Sequence, residues 1–228
     1  MLSKRKRVYA TKTPQRKKYK PSIPRYIPFN NEVKYIDTEY FGLIPTTLAN
    51  VNTDFGPINL IQQGDGESQR IGRKVQITSI HVKGYIENSF DQAGAGSIRT
   101  AIVLDKVNDG QTSNALDVYQ QTADPGLESC AFRNLDRTDR FRVLKDEMHT
   151  FSHHNSYWAV STAQFQCALE RLPININIDK LNITTMYTLD SPSINAIVSN
   201  LISFWCWTDS VSANDLSCRV NIRVRYIG

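Results

Sequence analysis

The chain has no run of about 18 consecutive apolar residues, so nothing in its sequence is long enough to cross a bilayer as a helix, and no membrane insertion is expected. Cysteine is scarce. Cys130, Cys167, Cys206 and Cys218 are the only four, and no two have the CxxC spacing of redox or zinc sites. Met1–Arg7 has the charge of a secretory leader, but no apolar stretch follows it. The cysteines therefore read as free thiols of a reducing compartment rather than a disulfide framework. Histidine is also rare. His149, His153 and His154 gather near one strand end, but two adjacent histidines on a strand point to opposite faces, which is poor ligand geometry. No GxSxG, HExxH or Cys–His–Asn pattern occurs. Asp65, Glu67 and Asp91 are loop acids without a partner motif. Gly64-Asp65-Gly66 lacks the Lys-Ser/Thr of a phosphate-cradling loop and reads more simply as a hairpin turn. An enzyme is not expected, nor is a metal or other cofactor.

The last lack is of acid at one end. Residues 1–20 hold nine basic residues and no acidic one: Lys4, Arg5, Lys6, Arg7, Lys12, Arg16, Lys17, Lys18 and Lys20. Of the 27 basic residues, 18 therefore lie beyond position 20, against 22 acidic ones, so the overall +5 conceals a body of net −4. Like charges repel and the arm has little apolar surface to bury, so residues 1–28, punctuated by Pro14, Pro21, Pro24 and Pro28, are expected to be disordered or extended. Such an arm binds polyanions. Its clusters Lys4–Arg7 and Arg16–Lys20, with Arg25 beyond them, suit phosphate contacts, and the clusters also suit nuclear import. Tyr9, Tyr19 and Tyr26 interleave with the charges and suit stacking on unpaired bases.

From Asn31 onward the texture changes to alternation. Leu172–Asp179 and Arg219–Tyr226 alternate strictly, the pattern of strands with one buried face. Ser97–Asp105 and Phe141–Phe151 read the same way. Ala196–Trp207 is almost continuously apolar and is expected to be one strand buried on both faces. Within it Trp205 and Trp207 share one face and Phe204 and Cys206 the other, so each face needs cover from a sheet, a helix or loop, or a neighbouring subunit. In Arg73–Glu87 the apolar set changes face near Thr78–Ser79, which predicts a bulge. Asn114 is placed to cap a short helix over Asn114–Gln120. Eight or so strands with little helix predict a β-sandwich or barrel; pattern alone does not choose among the sandwiches. The strands also carry basic residues, among them Arg70, Arg73, Lys74, Lys83, Arg99, Arg219, Arg223 and Arg225. The Arg219/Arg223/Arg225 face suits nucleic acid, an ordinary solvated sheet face or ion pairs between subunits.

One stretch goes further than pattern. Leu60–Ile80 resembles the Q-G-x-x-x-x-x-R-I-G-x-K-x-x-I-x-S-I signature of capsid proteins of circular single-stranded DNA viruses, circovirus-like and geminivirus-like. Here Gln63, Gly64, Arg70, Ile71, Gly72, Lys74, Ile77, Ser79 and Ile80 occupy the specified positions. Lys34–Thr38, Arg99–Lys106 and Asp139–Asp146 resemble further strands of that family in order and spacing. The resemblance implies an all-β fold: a single eight-stranded viral jelly roll of two four-stranded antiparallel sheets over residues 29–228, with residues 1–28 as the genome-binding arm. It also implies a T=1 icosahedral shell, with Arg70, Arg73, Lys74, Arg219, Arg223 and Arg225 as candidate inner-surface basic residues. Its partners would be single-stranded nucleic acid, DNA by preference, further copies of the chain, host nuclear import factors and a host receptor; its location would be the virion and, during infection, the host nucleus. The alternatives are a nucleic-acid-binding protein that forms no shell, a capsid protein of a small RNA satellite-type virus, and a jelly-roll lectin or enzyme. The first should carry a base-reading module, and the body has no RRM, zinc-knuckle or helix-turn-helix signature.

Overall fold

A computed structural model describes residues 32–51, 55–88, 96–151, 171–209 and 216–228. The basic arm, His153, His154 and Cys167 lie outside them. The described residues form an all-β domain of two antiparallel sheets. No helix among them is long and apolar enough to cross a membrane.

The strands are β1 (Val33–Leu43), β2 (Lys74–Asn88), β3 (Gly96–Asp105), β4 (Phe141–Phe151), β5 (Arg171–Ile178), β6 (Ile183–Tyr187), β7 (Ile197–Ser199), β8 (Leu201–Thr208) and β9 (Leu216–Ile227). The larger sheet runs β1-β9-β2-β6-β7, with β5 also paired to β2; the smaller runs β4-β3-β8. β2 is long enough to pair β5 through Ile80–Glu87 and β6 through Lys74–Ile77, one after the other on the same side. Pro57 forms an isolated antiparallel bridge with Ser203, flanked by Ile58 N donating to Ile202 O and Phe204 N to Gly56 O.

The count of two four-stranded sheets is corrected to six and three strands. The Ala196–Thr208 stretch is not one strand. Asn200 takes a left-handed conformation (φ 62°), and its side chain donates to Thr184 O at 2.7 Å. That kink sends β7 to the larger sheet and β8 to the smaller. Asparagine tolerates this region better than most residues with a Cβ.

The phase slip in β2 is a bulge: its register with β9 shifts between Ile77 and Ser79. Val75 and Ile77 before it, and Ile80, Val82 and Ile86 after it, consequently all reach the core. They meet Val220, Ile222 and Val224 of β9 and Ile98, Ile102, Phe204 and Cys206 of the facing sheet. β8 is buried on both faces. Trp205 and Trp207 point away from that core into a second cluster with Leu48, Val51, Val118 and Tyr119. The cover comes from a 3-10 turn (Leu48–Asn50), one helical turn α1 (Ala115–Val118) and the loop after it. Asn114 caps α1, accepting from Leu116 N at 3.0 Å.

Candidate nucleic-acid interface

The outward residues of β1, β9, β2 and β5 form one continuous sheet face. Alternation puts Arg219, Asn221, Arg223 and Arg225 on it from β9, because Val220, Ile222 and Val224 face the core. Register then decides the neighbours. Phe41, Arg219 and Tyr85 stand side by side across β1, β9 and β2; Glu39, Asn221 and Lys83 form the next outward row, and Asp37, Arg223 and His81 the one after it. Gly84 lets β9 come close at this point: a Cβ there would lie 2.0 Å from Arg219 O.

Two of the three β9 arginines are held by carboxylates of this same sheet. Arg223 grips Asp37 with Nε and Nη2, both at 2.7 Å, and those hydrogen bonds hold the Asp37 carboxyl below its usual range. Arg219 Nε lies 3.9 Å from Glu87, which Arg171 also approaches at 3.4 Å. Arg225 and Lys83 make no ion pair among the described residues. Arg73 and Lys74 are exposed at the start of β2. The arm residues Lys4, Arg5, Lys6, Arg7, Lys12, Arg16, Lys17, Lys18, Lys20 and Arg25 are outside the described set.

Arg70 is different and corrects the expectation of a surface role. It is 0 % exposed. Nε donates to Ile61 O at 3.0 Å, Nη1 to Gln63 Oε1 at 2.9 Å and to Gly72 O at 2.6 Å, and Nη2 to Leu189 O. Its guanidinium carbon lies 4.3 Å from the Tyr187 ring centroid. Burial lowers its pKa, yet it is a splint for three backbone segments, not a phosphate contact. The same clamp reshapes the Gly64–Gly66 segment. Gln63 and Arg70 meet in a parallel bridge, so this is a closed loop rather than the expected hairpin. Lys34 ties the loop to β1 by donating to Gly66 O and Gln69 O at 3.3 and 3.1 Å.

Replacing Arg70 with methionine is expected to cost about 3 kcal/mol or more, since each carbonyl left buried without a donor costs about 1–3 kcal/mol. Lysine should restore little, because one ammonium cannot reproduce the fork. Urea denaturation measures this; an unchanged midpoint for Arg70→Met would mean the carbonyls find water instead.

Arg99 is likewise spent inside the fold. It pairs with Asp146 at 2.7 and 2.8 Å, donates to Ser129 O and Ala131 O, and lies over Tyr119 and Trp207. Burial pushes the Asp146 carboxyl up, but the Arg99 fork and the Tyr119 hydroxyl hold it below its usual range. His149 sits 3.9 Å from Glu147 and 3.3 Å from Thr100 Oγ1, and burial lowers its pKa. Among the described residues no three His, Cys, Asp or Glu side chains are grouped as metal ligands.

The sequence reading missed Tyr35, Phe41, Tyr85 and Arg171, which share the face with the β9 arginines. Their alternation was visible; their neighbours were not, because cross-strand register between distant segments is not written in any one of them. Compared with known proteins, the chain matches no family model and no curated sequence.

Proposed function

We propose that the chain is a capsid protein of a small virus with a circular single-stranded DNA genome. It builds a closed icosahedral shell, T=1 in the simplest case, from a jelly-roll domain and packages the genome through its basic arm. The observation that carries this reading is the charge division: nine positive charges in the first twenty residues, joined to a β-sandwich body of net −4. A shell protein needs both, a container that need not bind the genome tightly and a tether that does. Binding through charge neutralises phosphates without regard to sequence, which suits packaging of a whole genome.

The strand order supports the jelly roll. Taking β5 and β6 as one broken row and the Pro57 segment as a short one, the larger sheet contains rows β1, β9, β2 and β5/β6, with β7 as a short added row beside β6. The facing sheet contains the Pro57 segment, β8, β3 and β4. The chain crosses between sheets after β1, after the Pro57 segment, after β2, after β4, after β7 and after β8, so sequential segments repeatedly swap sheets as in a Greek-key sandwich. The motif that carries the family resemblance also has a physical role: Arg70 bonds Gln63 and the Gly72 carbonyl. The motif thus describes a locked loop, which is what a shared fold would preserve. Nuclear import factors and a host receptor complete the set of partners in this reading.

The test is sedimentation of the purified full chain with a single-stranded oligonucleotide. A discrete fast-sedimenting species is expected. A monomer that stays monomeric across protein concentration and salt contradicts the reading.

A further inference from the structure

We propose that the outer face of the larger sheet is a stacking platform for unpaired bases, which makes the β-domain itself a single-stranded nucleic-acid binder alongside the arm. This rests on the nucleic-acid part of the proposed function and adds a second, chemically different contact to it.

Three aromatic side chains on this one face each carry a guanidinium: Arg223 lies 4.4 Å from the Tyr35 centroid, Arg219 4.2 Å from Phe41, and Arg171 4.7 Å from Tyr85. They come from four strands that only the sheet brings together. Phe41 is 67 % and Tyr35 45 % exposed, so among the described residues each ring keeps open surface beside its guanidinium. Tyr35 and Phe41 are six residues apart on β1, or about 20 Å, and Tyr85 is two strands from Phe41, or about 10 Å. The rings thus mark out an area on the scale of a few nucleotides.

Charge points to the same ligand. Asp37 and Glu87 fix Arg223, Arg219 and Arg171 in position beside the rings. Lys83 and Arg225 stand on the same face with no acid paired to them among the described residues. A strand laid across it would find cations for its phosphates and ring or guanidinium surfaces for its bases. Both kinds of surface stack on nucleobases without regard to sequence. A duplex has its base faces already stacked and would gain only the charge contacts. The other occupant an exposed sheet face could take is a second copy of the chain, and the experiment separates the two.

The full chain and the variant Tyr35→Leu/Phe41→Leu/Tyr85→Leu are titrated with oligothymidylate and with a duplex of equal length over a salt series. Leucine keeps apolar bulk on the strands while removing the rings. The expected result is at least a tenfold loss of oligothymidylate affinity, given that stacking contributes about 1–3 kcal/mol per base. The loss should persist at high salt, with an unchanged salt slope and unchanged duplex binding. Phe41→Trp provides a second readout that does not depend on the triple variant folding: its added indole fluorescence should be quenched by oligothymidylate and not by the duplex. Equal oligothymidylate affinity for variant and wild type, or no quenching in the Phe41→Trp variant, overturns the platform while leaving the packaging arm intact. Lost assembly with unchanged affinity overturns it in favour of a contact between copies. No binding by the wild-type chain overturns the nucleic-acid reading itself.

Discussion

Trp205→Ala is expected to destabilise the domain by about 3–5 kcal/mol, the usual range for removing a large buried aromatic side chain. Trp205 is 1 % exposed and packs on the outer side of the smaller sheet with Leu48, Val51, Val118 and Tyr119. Its neighbour Trp207 is fixed more tightly: Nε1 donates to Glu128 O at 2.9 Å, and its ring lies 5.1 Å from that of Tyr119. A cavity at position 205 would undermine the loops that cover both. For a domain of this size each kcal/mol lowers the melting temperature by roughly 2–4 °C, so a drop of about 6–20 °C should appear in a circular-dichroism melt. Trp205→Phe should fall well short of that. The sequence left three kinds of cover open for this face; the chain's own loops supply it. The effect should therefore be seen in the dissociated chain and not depend on contacts between copies. A melting temperature within a degree or two of wild type would show that the loops are not anchored on this side chain.

Deleting residues 1–28 is expected to remove most of the salt-dependent part of nucleic-acid binding and leave the melting temperature of the β-domain unchanged. The arm's nine positive charges in residues 1–20 set the size of the effect. For single strands the slope of log K against log salt is about −0.7 per phosphate contact, so full engagement gives about −6 and half engagement about −3. Titration of the arm peptide with two unrelated oligonucleotides should give the same steep slope for both. A slope shallower than about −2, with strong preference for one oligonucleotide, would mean that the arm reads sequence. The truncated chain should keep only the weaker binding assigned to the sheet face, and the 260/280 nm absorbance ratio of its particles should fall towards that of protein alone.

Much of the fold was legible because it is local. Strict alternation marked Leu172–Asp179 and Arg219–Tyr226, and the structure has strands at both. The change of apolar face at Thr78–Ser79 marked the bulge that the β2–β9 register contains. Asn114 announced its cap. What could not be read depends on partners far away in sequence. Arg70 looks like any surface arginine until the carbonyls of Ile61, Gly72 and Leu189 converge on it. The break at Asn200 hides in an apolar run, because nothing in Ala196–Trp207 says that its two halves serve different sheets. At the candidate interface, composition pointed to Arg219, Arg223 and Arg225. Their acidic and aromatic partners Asp37, Glu87, Tyr35 and Phe41 come from strands more than a hundred residues earlier. Arg70 and Arg99 also show why basic residues on strands are an ambiguous signal. A guanidinium has five donors, which suits it equally to phosphate and to gathering backbone carbonyls.

The central claim is that this chain encloses a genome, and electron microscopy of the purified full-length protein tests it most directly. Closed spherical particles of one diameter are expected, forming with single-stranded nucleic acid and containing a nuclease-protected strand. Monomers or irregular aggregates across protein concentration and salt, with the β-domain folded and the arm intact, would contradict it.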